Sequence, residues 1–227
     1  GLGGEDDGRS LRGLRRGSFL DGQTLMPQLR AALRASTRGP IAVMFPRIAR
    51  IEELEAAKAL VVRAREALAE DGVIVGDVPV GMMVEVPSAA LLASRFARAC
   101  DFLSVGTNDL TQFTLAIDRD DTGQLAVSSA MDPAVLWFLE RTARAAEEAR
   151  IELSMCGDLA CDVVGLPLVV GLGYRRLSVP IAEAALVAEV VRRIDTRAAK
   201  LLVLDALALG SAACLLYTSD AADERSS

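Results

Sequence analysis

The residues best suited to chemistry fall in three short clusters: Glu85; Asn108 with Asp109; and Cys156 with Asp158. The chain contains no histidine. That excludes Ser/His/Asp and Cys/His catalysis and removes the commonest metal ligand. Carboxylates, arginines, amides and thiols remain. Glu85 and Asp109 supply hard oxygen ligands of the kind that suit Mg2+ or Mn2+, ions that keep several waters and complete their shells with substrate oxygens. A second reading stands beside this one, because each carboxylate also lies where a helix begins and could simply cap it. Cys156 has two readings as well. Most free cysteines are buried filler, but this one sits in Met155-Cys156-Gly157-Asp158, beside a glycine that permits close backbone approach. Cys100, Cys161 and Cys214 read as filler. Arg119, among Asp118, Asp120 and Asp121, reads on its own as a solvated ion-pair cluster.

These clusters are positioned by a regular alternation of extended and helical segments. Ile41–Phe45, Gly81–Val84, Phe102–Val105, Ile151–Met155 and Arg176–Val179 are short apolar runs that predict strands. Between them, apolar residues at helical spacing predict helices over Glu52–Glu70, Ser88–Arg98 with Ser88 as N-cap, Pro133–Arg150 and Val163–Leu172. Two further helices are predicted over Ala182–Arg193 and Thr196–Leu209. Strict βα alternation with apolar strands implies a parallel sheet with helical crossovers, either doubly wound or a (β/α)8 barrel. Glu85, Asn108–Asp109 and Cys156 each follow the C-terminal end of a predicted strand. In a barrel those ends share one rim, so the residues converge; a doubly wound sheet would gather them more loosely.

Composition narrows the class. Across 227 residues, hydrophobic side chains make up 52% but aromatics only 4%, so small aliphatics must build the core, as in layered α/β packing. A net charge of -6 argues against nucleic acid, which favours a basic face. The four cysteines form no CxxC pair, which fits a reducing compartment. Leu201–Tyr217 is apolar but short for a span and is interrupted by Asp205. The opening Gly1–Arg16 is glycine- and charge-rich, unlike a signal peptide. The expectation is a cytoplasmic protein without membrane or nucleic-acid partners.

Three strings carry a resemblance. Gly81-Met82-Met83-Val84-Glu85-Val86-Pro87-Ser88-Ala89-Ala90, Ser104-Val105-Gly106-Thr107-Asn108-Asp109-Leu110-Thr111-Gln112 and Met155-Cys156-Gly157-Asp158-Leu159-Ala160 resemble signatures of the phosphoenolpyruvate (PEP)-utilising enzymes, in that family's order and at about its spacing. Met44-Phe45-Pro46, the Cys-Gly-acid-Leu-Ala string and Gln28–Ser36 are most similar to the Enzyme I branch, which serves bacterial sugar phosphotransferase systems. The resemblance runs from about Leu11 to Leu209. It implies an α/β (β/α)8 barrel, incomplete here, with the five strands matching the fourth to eighth. It also implies roles: Glu85 and Asp109 hold Mg2+, Asn108 and Arg119 bind the PEP phosphate, and Cys156 exchanges a proton at the enolpyruvate methylene. Arg12 and Arg15 resemble an Arg-x-x-Arg feature of the family, and Arg15 would reach the phosphate. The implied reaction is phosphoryl transfer from PEP to a histidine on a separate domain, leaving pyruvate. A phosphocarrier protein would be engaged through that missing N-terminal domain, and the intact parent would be a homodimer.

Departures from the pattern shape the expectations. The arginines contributed by the second and third family strands have no counterpart before Leu11. Cys161 stands where Enzyme I has glycine, and Val127–Asp132 lacks the usual histidine-containing pattern. Residues 1–10 do not read as family sequence, and Cys214–Ser227 resembles the translation of a sequencing-library adapter. The expected organisation is therefore a partial PEP-binding barrel over 11–209, an uncertain segment at 1–10 and a disordered or artefactual tail at 210–227, inactive alone. Two alternatives stand: a fragment of a pyruvate phosphate dikinase or PEP synthase, and a non-catalytic dimerisation module. The barrel reading predicts Glu85, Asp109 and Cys156 on one rim, with the two carboxyl groups roughly 4–6 Å apart.

Overall fold

The computed structural model describes residues 24–117 and 130–209. Within them a five-stranded, wholly parallel sheet runs in chain order. Its strands are β1 (Val43–Phe45), β2 (Val80–Val84), β3 (Phe102–Gly106), β4 (Glu152–Cys156) and β5 (Arg176–Leu177). Helix α1 (Leu25–Ala35) precedes β1, and α2 (Ile51–Glu70) crosses to β2. Two short helices, α3 (Pro87–Leu91) and α4 (Ala93–Ala97), connect β2 to β3. Helices α5 (Thr107–Leu115) and α6 (Pro133–Ala149) lie between β3 and β4. Helix α7 (Leu166–Gly171) leads to β5, and α8 (Ala184–Arg193) and α9 (Thr196–Ala208) follow it. Sequential order with every crossover helical is the arrangement of consecutive barrel units. The sheet is open: β1 and β5 each pair with one neighbour only among the described residues.

The sheet has two chemically distinct faces, set by the two-residue period of each strand. Met82, Val84, Leu103, Val105 and Met155 are completely buried against the helices. The alternate residues form the other face, where the register aligns Met83 with Ser104 and Ser104 with Ser154, and Gly106 with Cys156. The strands are therefore not uniformly apolar, as the sequence reading supposed. Polar residues occupy the face that lines the inside of a barrel. Gly81 is required there because the Phe102 ring lies over it: a Cβ at Gly81 would stand 2.5 Å from the ring.

The helices bury one stripe each. On α2 that stripe is Leu54, Ala57, Leu60, Val61, Ala64 and Leu68, the three-and-four spacing of an amphipathic helix. Glu53 reaches back to accept from the backbone N–H groups of Ala49 and Arg50, at 2.8 and 3.1 Å, satisfying donors that the first turn would leave unpaired. Gly72, at φ 74°, follows the C-cap Asp71 and lets the chain reverse out of the helix. At α6 the Asp132 carboxylate caps through the Ala134 N–H at 2.9 Å, with Pro133 at the first turn. Tyr174, almost fully buried, donates its hydroxyl to the Leu139 carbonyl at 3.0 Å and so ties the turn before β5 to α6.

One expected helix is different. Ser88–Arg98 is not continuous but splits into α3 and α4 at Leu92, whose backbone leaves the helical region (φ -101°, ψ 18°). The N-cap is Val86, with Pro87 at the first turn, not Ser88. The Ser88 hydroxyl instead donates to the Ala49 carbonyl at 3.2 Å, joining α3 to the loop after β1.

Candidate active site at the carboxyl ends of the strands

The carboxyl ends of β1 to β4 bring their following residues to one edge. Glu85 is the first residue past β2 and is only 4% exposed. Asp109, 8% exposed, lies in the first turn of α5, directly after β3. The two carboxyl groups are near enough for the charge of Asp109 to act on Glu85, and Arg47 contacts both of them. Gly106 makes room for this: a Cβ there would come within 3.2 Å of both Glu85 Cβ and Oε2. Neither carboxylate serves as the N-cap of the helix that follows it, since those positions are Val86 and Gly106. Asp109 nevertheless lies in the first turn of α5, where a negative charge complements the helix dipole.

Electrostatics at this edge are unusual. Burial pushes the Glu85 carboxyl from its ordinary 4.5 to about 7, opposed by a backbone hydrogen bond from Arg47 and reinforced by the charge of Asp109. Two adjoining buried carboxyls resist double ionisation unless a cation is supplied. The donor set therefore fits a small, hard divalent ion bound by one or two carboxylates, with water and substrate oxygens filling the remaining positions. Among the described residues no group of three or more His, Cys, Asp or Glu side chains gathers to hold a metal; the two-carboxylate site needs substrate or water to complete it.

Cys156 ends β4, in register with Gly106. Its thiol donates to the Val105 carbonyl at 3.4 Å. Burial raises the thiol above its ordinary value, with Glu85 adding to the rise and a hydrogen bond with Ser104 countering it. Burial thus favours the protonated form of this thiol.

Asn108 sits on the same rim, where its side-chain carbonyl accepts from the Asp158 backbone N–H at 2.9 Å. Thr107 donates its hydroxyl to the Cys156 carbonyl at 3.1 Å. Together these bonds lock the β3 and β4 ends to each other. Gly157, at φ 97°, is essential to that closure, because a Cβ would meet Thr107 Oγ1 at 2.3 Å and Asn108 Oδ1 at 2.7 Å. Arg12, Arg15 and Arg119 lie outside the described residues.

The structure adds a residue that sequence reasoning missed. Arg47, two positions past β1, donates its backbone N–H to Glu85 Oε1 at 2.6 Å and its guanidinium to Asp109 Oδ2 at 3.1 Å. The signal was available: Arg47 follows Phe45-Pro46 at a strand end, as the recognised residues follow theirs. Thr107 was also overlooked as a clamp. By contrast, a cleft of about 760 Å3 is lined by Glu152 at the start of β4, with Gly171, Lys200 and Leu204. It opens at the opposite ends of the strands and contains none of the rim residues.

Comparison with known proteins agrees with this geometry. Residues 10–196 match the family described as PEP-utilising enzyme, PEP-binding domain. The chain is 46% identical over 158 residues to a multiphosphoryl transfer protein of Rhodobacter capsulatus, covering 70% of this chain and 18% of that protein. It is 42% identical over 152 residues to a phosphoenolpyruvate-protein phosphotransferase of Bacillus subtilis (strain 168), covering 66% of this chain and 27% of that protein. The chain thus spans less than a third of the curated relatives it matches. In solved structures, a citrate lyase from Burkholderia xenovorans LB400 superimposes with a TM-score of 0.57 at 20% identity, covering 83% of this chain and 61% of that one. At that identity the likeness speaks for the fold alone.

Proposed function

This chain belongs to the PEP-utilising enzymes, and from that premise we propose that its rim is the PEP site of a phosphoenolpyruvate-protein phosphotransferase. The observation that carries the reading is the pairing of the buried carboxyls of Glu85 and Asp109 on neighbouring strand ends, both touched by Arg47, with the thiol of Cys156 on the next strand. Glu85 and Asp109 would hold Mg2+, which when bound neutralises charge on the transferring phosphoryl group.

The chain's own residues account for the rest. Asn108 fixes the β3–β4 junction through its carbonyl, leaving its amide as the group to meet a phosphate oxygen. Arg15 and Arg119 complete the proposed phosphate contacts by charge, since phosphoryl transfer needs charge stabilisation more than covalent help. Cys156 delivers its proton to the methylene carbon of the enolate once the phosphoryl group has left. The carbon–hydrogen bond forms as the sulfur–hydrogen bond breaks, giving pyruvate and a thiolate that regains its proton from solvent.

In the whole protein the acceptor would be a histidine on a separate domain, and from there a phosphocarrier protein of a sugar phosphotransferase system. Cytoplasmic location and a homodimeric parent belong to the same proposal. No helix among the described residues is long and apolar enough to cross a membrane.

The test is Mn2+ binding, read by water-proton relaxation on the 227-residue chain and its variants. Binding should weaken at least about tenfold in Glu85→Gln and in Asp109→Asn, each of which removes a ligand charge while keeping size. PEP should bind more tightly in the presence of Mn2+ than in its absence. Unchanged Mn2+ affinity in both variants would end the metal-site reading.

A further inference from the structure

We propose that Arg47 is a placeholder cation: in the metal-free chain its guanidinium neutralises the Glu85–Asp109 pair, and a divalent ion must displace it to bind. The inference rests on the metal-site reading above and goes beyond it, to a residue of this chain that opposes the metal.

The geometry is specific. Arg47 reaches both members of the pair, Glu85 through its backbone N–H at 2.6 Å and Asp109 through its guanidinium at 3.1 Å. Its side chain is 26% exposed and that of Asp109 only 11%, so the ion pair is shielded from most of the solvent that weakens surface pairs. The turn that presents it is rigidly anchored, with Phe45 buried on one side and Ile48 and Ala49 on the other. Arg47 itself takes φ 55°, a left-handed conformation disfavoured for any residue with a Cβ. The N–H bond to Glu85 is what this backbone shape delivers. It comes from the main chain, so any side chain at position 47 retains it.

The two contacts therefore have different chemistry. The backbone bond orients Glu85 irrespective of which cation is present. The guanidinium, in contrast, occupies an oxygen of Asp109 that a divalent ion would need, and places a positive charge beside the ion's position. A flexible side chain with a quarter of its surface in solvent can swing away. Metal binding then exchanges one cation for another on the same carboxylates, and affinity is lowered by the competition.

The experiment is a Mn2+ titration of the full chain, followed by water-proton relaxation, comparing wild type with Arg47→Met and Arg47→Lys. Methionine is of similar length, uncharged, and bears the same backbone penalty at positive φ. If Arg47 competes, Arg47→Met binds Mn2+ about tenfold more tightly than wild type. It is also less heat-stable than wild type without metal and gains more in Tm on saturation. Lysine keeps a competing charge, so Arg47→Lys stays within about threefold of wild type. Equal or weaker Mn2+ binding by Arg47→Met overturns the inference while leaving the metal site intact. Equally tight binding by the lysine and methionine variants also overturns it, since charge would then not be what opposes the ion. No binding by wild type or either variant removes the metal site itself, and the placeholder with it.

Discussion

Glu85 and Cys156 share a strand-end rim, and burial acts on the protons of both. Both are raised by burial, which keeps a thiol ready to donate and makes a carboxylate reluctant to ionise without a cation. For Cys156, serine is nearly isosteric yet a far weaker acid, the thiol reference being about 8.5. In a barrel completed by the preceding strands, Cys156→Ser should leave PEP affinity nearly normal and slow proton exchange at the pyruvate methyl group by at least about tenfold. NMR in D2O reads that rate; wild-type exchange would return Cys156 to the role of core filler. For Glu85 the sign follows from linkage. Its native pKa is about 7 against an ordinary 4.5, so between those values the native state holds a proton that the unfolded chain has released. The metal-free chain is therefore most stable below about pH 4.5 as far as this group is concerned. That contribution is lost as pH rises to about 7 and is flat above, a change of roughly 1–3 kcal/mol. Urea unfolding between pH 5 and pH 8 should show the decline, and Glu85→Gln should flatten it.

At the scale of elements, rim and scaffold are separable because they occupy opposite ends of the same strands. Helices α7 and α9 meet so closely that a Cβ at Gly171 would lie 2.2 Å from the Ala199 carbonyl oxygen and 2.6 Å from its carbon. These are backbone atoms, which cannot yield by a rotamer change. Gly171→Ala must push α9 outward, at a cost of about 1–3 kcal/mol. Gly171 shares its cleft with Glu152, the first residue of β4, whereas Cys156, the last, stands at the rim. The urea midpoint should therefore fall while Mn2+ affinity of the folded protein is unchanged. A matching loss of metal binding would show that the two ends are coupled.

For the molecule as a whole, the open sheet is the governing fact. Partly exposed side chains such as Met83, Ser154 and Cys156 lie on the face that a closed barrel would enclose, and among the described residues the two edge strands are paired on one side only. Unpaired parallel edges invite association. The 227-residue chain should therefore associate in a concentration-dependent way. Joining it to the preceding barrel segment of a relative should suppress that association and raise Tm. Sedimentation velocity and thermal unfolding of both proteins check this; a monodisperse, equally stable short chain would argue that the open face is satisfied as it stands.

The sequence by itself determined the alternation of strands and helices and the identity of Glu85, Asn108, Asp109 and Cys156 as rim residues. It could do so because apolar runs, breakers and the strings after them are local signals, and chemistry in a βα unit collects at strand ends. Local signals misplace what neighbours in space decide. The helix after β2 breaks at Leu92, and Ser88 bonds to Ala49, across 39 residues, instead of capping. The Asn108 carbonyl meets the Asp158 N–H, 50 residues away, a contact that no local pattern announces. Arg47 lies 38 residues from Glu85 and 62 from Asp109. Those distances in the chain become contacts only because parallel register stacks the ends of β1, β2 and β3 side by side. The strand-end position of Arg47 is legible in the chain, but the sheet register that brings its charge to the carboxylate pair is decided by the tertiary structure.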